Sequence, residues 1–362
     1  MPAARSRLLG RANFAFAGLC ALLMSVVTLG VATAYDLPIR DPDGVAVPMY
    51  VQLPIICLIA WLLDVLPRAV LRCRRDLREL PGDFAAVARE RWTRSSLVFA
   101  VTGLGTWYVC YATFRNLKSY VPFVNGGLYD GTLDRIDRTL WLGHEPATAL
   151  HALFGNGWAA HVFSVAYVAW IVLIPATLAI ALVWTRHQAR ASWYVTAIAL
   201  DWVLGVAAYF AVPSLGPAYS RPGMFDGIAH TYSTTLENTL LRDRISVLAD
   251  PHGTHAVQTI AAFPSLHVGM MMTLCVFVAL ARMPRWIQRC SWVFLAITIV
   301  GTVYLGWHFF ADTIAGMVLG AVAAWVAALA TGNSVGLRPR LAEGRAYEAP
   351  AESARTPLSR SA

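Results

Sequence analysis

The sequence predicts an all-α fold, a polytopic membrane helix bundle, from three observations. The chain is 57% hydrophobic and only 14% charged, with a mean hydropathy of +0.54, whereas soluble domains carry about 25% charged residues. Its apolar residues gather into eight runs, 13–35, 47–70, 95–114, 158–184, 192–212, 265–282, 290–307 and 308–330, each close to the roughly 20 residues of a helical span. Its basic residues, 28 Arg and one Lys, fall unevenly between the connecting segments. With a cytoplasmic N-terminus, the outer segments 36–46, 115–157 and 213–264 hold only Arg40, Arg115, Lys118, Arg135, Arg138, Arg221, Arg242 and Arg244. The other 21 lie inside, as the positive-inside rule requires of eight spans with both termini in the cytoplasm.

The first run ends in "VATAYD" (31–36), an Ala-x-Ala pattern like a secretory cleavage site. The run exceeds the about 7–15 apolar residues of a signal peptide, so it reads as a retained span. The second run carries Pro48, Pro54 and Asp64 and is the least regular. With the basic cytoplasmic loop 71–94 it makes an N-terminal two-helix unit, 1–94. After the third run, "FRNLKSY" (114–120) reads as an outer loop offering Arg115 and Lys118. The fourth and fifth runs are apolar apart from Asp201, and "VPSLGPAYSRPGMF" (212–225) then supplies Ser214, Tyr219 and Arg221. The last three runs complete a core over 95–330. The tail, 331–362, lacks apolar periodicity and is expected to be disordered and cytoplasmic.

Several classes are excluded at this point. No cysteine lies in an outer segment and no Cys-x-x-Cys occurs among the six, so neither a disulfide framework nor a cysteine metal site is expected. No metal or other cofactor is implied. The net charge of +8 suits anionic lipid headgroups, and no nucleic-acid-binding motif is present. Arginine makes up nearly all the basic residues, a bias expected of a GC-rich bacterial genome, which places the chain in a bacterial plasma membrane.

The chemistry concentrates in two stretches. "AAFPSLHVGM" (261–270) opens the sixth span from outside, with Ser265 placed to cap the helix and His267 in its first turn. "YLGWHFFADTIAG" (304–316) opens the eighth with His308 and Asp312, one helical turn apart on one face. The 41-residue separation of the histidines matches a helical hairpin, which returns the chain to the same membrane face. Asp312 is placed to fix the tautomer of His308 and sharpen its nucleophilicity. His267, from another helix, is placed to protonate a leaving oxygen. Two helix N-termini meeting there suit a phosphate. Ser265, Tyr219, Arg221, Arg115 and Lys118 are the candidate phosphate ligands, since a cationic clamp is the expected partner of a phosphoryl group.

These residues resemble the type 2 phosphatidic acid phosphatase superfamily over about residues 95–330. "FPSLH", followed 41 residues later by "HFFAD", is most similar to the branch of fungal inositol phosphorylceramide synthases. The resemblance implies a six-helix core and metal-independent phosphoryl transfer. It implies His308 as the nucleophile that becomes phosphohistidine, Asp312 as its partner and His267 as the general acid. Departures are clear: Gly301 and Thr302 stand where the superfamily has Ser-Arg, and Ser214 where it has the Lys of its first motif, of which Arg221-Pro222 remains. Lys118 or Arg115 is then the expected substitute.

The sequence reading is thus a membrane enzyme with an extracytoplasmic active site. It transfers a phospho-headgroup from a phospholipid or polyprenyl phosphate to a polyol or lipid alcohol acceptor. Hydrolysis of such a lipid phosphate is the nearest alternative, and a non-catalytic lipid-binding or lipid-transport protein the next.

Overall fold

The structure, a computed structural model, describes residues 14–41, 49–73, 78–185 and 187–341. Thirteen α-helices follow in order among these residues: α1 Ala15–Ala34, α2 Met49–Arg72, α3 Leu80–Arg91, α4 Arg94–Val124, α5 Asp130–Leu140, α6 Pro146–Phe154, α7 Trp158–Ala179, α8 Gln188–Ala211, α9 Pro217–Ser220, α10 Tyr232–Ala249, α11 Leu266–Leu280, α12 Arg285–Tyr304 and α13 Phe310–Ala330. A π-helical turn, Ile180–Trp184, extends α7. The only sheet among the described residues is a hairpin of β1 (Ser334–Val335) and β2 (Arg338–Pro339). This hairpin lies in the part of the tail that composition marked as disordered; residues 342–362 lie outside the described residues.

Among the described residues, seven helices are long and apolar enough to cross a membrane: α1, α2 from Pro54, α4, α7 with its π turn, α8, α12 and α13. Two of the expected spans differ. The sixth is the 15-residue α11, about 22 Å long at 1.5 Å per residue, short of the about 30 Å hydrocarbon core. Pro264 disfavours a helical residue before it, so Ser265 is the cap, and residues 254–262 arrive without helix or strand, with a bend at Phe263 and Pro264. Their main chain is satisfied within the protein: Ala262 N–H donates to the Ser214 carbonyl at 3.0 Å, and Phe263 N–H to Ser214 Oγ at 2.9 Å. Irregular backbone persists at membrane depth only under such pairing.

The third span ends later than expected. No Gly or Pro interrupts 106–121, and α4 runs on to Val124. Arg115 and Lys118 therefore stand on a helix, not in a loop. The segment after α1 packs on this extension. Asn116 exchanges hydrogen bonds with the main chain of Arg40, both 2.8 Å, and Tyr120 Oη donates to the Pro38 carbonyl at 2.9 Å.

Helix α8 is the hub, buried without a break from Ala191 to Trp202, the signature of a helix apolar on all sides. Helices α11 and α13 pack on each other and on α8, α4 packs on the opposite side of α8, and α1 packs on α4. The α11–α13 seam rests on glycine. A Cβ at Gly316 would sit 2.3 Å from the Ser265 carbonyl oxygen, and one at Gly320 would sit 2.0 Å from that of Gly269. Small residues at i and i+4 are the usual means of close helix approach in a membrane. Of the three acids in expected spans, Asp64, Asp201 and Asp312, Asp64 is clamped by Arg91 (2.7 and 2.8 Å), Arg68 and Trp92. Asp201 accepts a hydrogen bond from Thr273 at 3.0 Å.

Gly320→Ala is expected to lower the apparent Tm in detergent by several degrees and to abolish activity. Gly105→Ala, on α4 with nothing within 4 Å of the added carbon, should leave both unchanged or raise Tm slightly. Equal behaviour of the two variants would refute the seam.

Candidate active site

Two helix mouths meet at one end of the bundle. Ser265 Oγ accepts the N–H of Val268 at 3.4 Å, and Ser265 N–H donates to the Asp312 carbonyl at 3.0 Å. The second bond ties the cap of α11 to the first turn of α13. His267 and His308 consequently face each other with ring centroids 5.9 Å apart, as the hairpin spacing predicts.

His267 is held by aromatic rings. Tyr167 stacks on it at 4.4 Å and Trp170 at 4.1 Å between centroids, while the Trp170 indole N–H donates to the His267 carbonyl at 3.0 Å. His308 lies in the turn between α12 and α13 and is buried. Its Nδ1 stands 3.4 Å from Asp312 Oδ2, which already accepts the Phe309 N–H at 2.9 Å. His308 Nδ1 and Asp312 Oδ1 have no hydrogen-bond partner. The approach is slightly long for a hydrogen bond, in the manner of catalytic pairs that tighten when substrate arrives. Burial, with the Lys118 ammonium next in effect, pushes the His308 imidazole down to about 3.

Both histidines line one end of a cavity of about 800 Å³. Lys118, Arg115 and Tyr219 line it as well, so three candidate ligands join the histidines there. The Lys118 ammonium lies 4.8 Å over the Tyr209 ring and 5.9 Å over that of Phe114. No carboxylate among the described residues pairs with it. Arg115 donates to Tyr111 Oη at 2.9 Å, and Tyr219 Oη donates to the Glu237 carbonyl at 3.3 Å.

Two expected ligands are placed differently. Ser265 is fully buried as the α11 cap. Arg221 borders a separate small cavity on which His308 also opens. Its guanidinium is taken up by Asp134 and Glu145, both at 2.5 Å, and Arg138 shares the same two acids.

The sequence analysis missed the acids that hold this end in place. Asp137 accepts the first free N–H groups of α13, from Phe310 at 2.6 Å and Ala311 at 2.8 Å. Asp130 accepts those of Leu215 and Gly216 at 3.0 and 2.9 Å, which fixes the loop carrying Tyr219 and Arg221. The signal was available: Asp130, Asp134 and Asp137 follow an i, i+4, i+7 spacing, one face of a helix.

A family model described as the PAP2 superfamily matches residues 131–326, more than half of the chain. No curated protein and no solved structure matches it.

Asp137→Ala should remove the α13 cap, at a cost of about 1–2 kcal/mol, and lower turnover with it; Asp137→Asn should recover part of both. A variant as stable and active as wild type would contradict the role. A second test concerns Glu237, whose carboxyl burial raises from 4.5 to about 7 against a hydrogen bond from Ser233. A folded value above the unfolded one favours the protonated acid. Its contribution is complete below about pH 4.5 and is lost as pH rises to about 7. Glu237→Gln should flatten that fall in apparent Tm.

Proposed function

The chain belongs to the PAP2 superfamily, and from that premise we propose that it transfers a phospho-headgroup from a membrane lipid to an alcohol acceptor through phosphohistidine at His308. Membership supports phosphatase- or phosphotransferase-type chemistry on a lipid phosphate. One observation carries the residue-level reading. Two imidazoles and the side chains of Lys118 and Arg115 line the same largely apolar cavity.

In this reading the lipid phosphate enters between the rings and meets the Lys118 charge. His308 Nε2 attacks phosphorus, and the bond from phosphorus to the leaving alkoxide breaks. His267 gives its proton to that oxygen. The acceptor hydroxyl then returns a proton to His267 as its oxygen displaces His308 from phosphorus. Asp312 orients His308 and stabilises its charged form, the part an acid plays beside a catalytic imidazole. The catalytic unit is the core, 95–330, and the site faces the extracytoplasmic side with both termini cytoplasmic.

The apolar, aromatic lining favours transfer over hydrolysis, since an acceptor arriving through the membrane meets little competing water. A transport path would instead distribute polar groups along the bundle, and here they gather at one end.

His308→Ala and His267→Ala should each lower turnover by at least about a thousandfold, and only wild type and His267→Ala should accumulate an acid-labile phosphoryl adduct. Lys118→Met should raise KM more than it lowers kcat. Activity should persist in chelator. Omitting the alcohol acceptor separates the two reactions: phosphate or headgroup-phosphate release at an unchanged rate would favour the hydrolase.

A further inference from the structure

The residue before His308 is held by a chain of hydrogen bonds that begins outside the cavity. Trp307 is buried, and its indole N–H donates to Ser233 Oγ at 2.7 Å. An indole can only donate. Ser233 is therefore the acceptor, and its own hydrogen goes to Glu237 Oε1 at 3.3 Å. The chain runs one way, from Trp307 through Ser233 to Glu237. Ser233 is itself anchored: it is buried, and its N–H donates to Ser164 Oγ on α7 at 3.1 Å. Trp307 in turn reaches both histidines. It is the covalent neighbour of His308. Its ring lies 4.8 Å from that of Tyr167 with the planes 6° apart, and Tyr167 stacks on His267. Helix α7 carries one side of this ladder. Ser164, Tyr167 and Trp170 recur at intervals of three, along one helical face, and meet Ser233, Trp307 and His267. The main chain at Trp307 is fixed separately. The Gly306 carbonyl accepts the Ala218 N–H at 2.8 Å, and a Cβ at Gly216 would sit 2.6 Å from the Trp307 carbonyl oxygen. With the backbone held, the bond to Ser233 decides how the indole is turned.

We propose that Ser233 and Glu237 of α10 are positioning residues for the two histidines, acting through the Trp307 indole. Neither side chain lines the cavity, so neither touches substrate. Without the Ser233 hydroxyl the indole N–H is buried and unpaired, a state that the ring escapes by turning. A turned Trp307 leaves Tyr167 without its parallel partner, and His267 loses the wall it rests on. The same turn disturbs His308 from the next residue. Helix α10 is not one of the seven apolar spans, yet through one indole it sets how the two imidazoles face each other.

The inference rests on the proposed chemistry for its kinetic readout, and a second readout needs no lipid. Both use the full-length protein in detergent. With dioctanoyl phosphatidate and glycerol, Ser233→Ala and Glu237→Leu should each lower kcat by about tenfold or more, with KM within about twofold of wild type. Glu237→Gln keeps an oxygen for the Ser233 hydroxyl and should hold both constants within about twofold. In a Trp307→Phe background, which has no indole N–H, Ser233→Ala should cost nothing further, as expected of residues on one path. Without lipid, diethyl pyrocarbonate should modify His267 at least about threefold faster in Ser233→Ala than in wild type, followed by peptide mass spectrometry. The Trp307→Phe background should abolish that difference as well. Should Ser233→Ala fail to fold, Glu237→Leu takes its place in both readouts. Wild-type kcat in these variants would overturn the proposal. So would additive losses in the double variant, a loss in Glu237→Gln equal to that in Glu237→Leu, or His267 modification that Ser233→Ala leaves unchanged. If wild type does not turn over the phosphatidate while His267 modification follows the expected pattern, the catalytic reading fails and the positioning chain stands.

Discussion

The close contact of α11 and α13 is the constraint on which the site depends. Lipid tails are as apolar as leucine, so no hydrophobic force drives one membrane helix onto another. Fit must do it. Gly316 and Gly320 leave room for the carbonyl oxygens of Ser265 and Gly269, where even a methyl group would overlap them. The seam then brings the Ser265 N–H onto the Asp312 carbonyl. Each histidine stands within two residues of a helix N-terminus, so an error in the seam passes to both rings together. Positioning errors of about 1 Å cost about a hundredfold in rate, which makes these glycines part of the chemistry at a distance.

Charge is distributed with the same economy. Asp137 closes the N-terminus of α13 and Asp130 closes the turn at Leu215 and Gly216. Asp134 and Glu145 neutralise Arg138 and Arg221. The departures from the superfamily's motifs fit this arrangement. Ser214, in place of a lysine, pins the irregular segment before α11 through its hydroxyl and carbonyl. Thr302, in place of an arginine, is buried and donates to the Thr298 carbonyl at 2.8 Å within its own helix. A Cβ at Gly301 would already touch Phe163 at 3.2 Å. Positions that would carry cations have become packing and hydrogen-bonding positions, and the cation facing both histidines stands on α4.

Much of this was legible in the sequence because periodicity and spacing are local properties. The eight runs gave the helices, and a 41-residue interval gave the facing histidines. Misreadings arose where distant partners decide the outcome. Helix α4 outlasts its hydropathy because Asn116 and Tyr120 find partners in the segment after α1. Helix α11 is short because Ser214 and Asp312 satisfy the backbone ahead of it, which hydropathy does not register. Arg221, expected as a phosphate ligand, is paired with Asp134 and Glu145, 87 and 76 residues away, partners that no local pattern shows. The acids of α5 escaped notice because their partners are main-chain groups, which no motif records.

The two departures from expected length act together. Because α11 starts late and α4 ends late, Lys118 stands six residues below the end of its helix, about 9 Å at 1.5 Å per residue. The proposed phosphate site is therefore recessed into the bundle, with α10 contributing Leu236 and Leu240 to the cavity wall. In the proposed reaction an arriving phosphate would give the buried Lys118 the anionic partner that the described residues do not supply, and a neutral lipid would not.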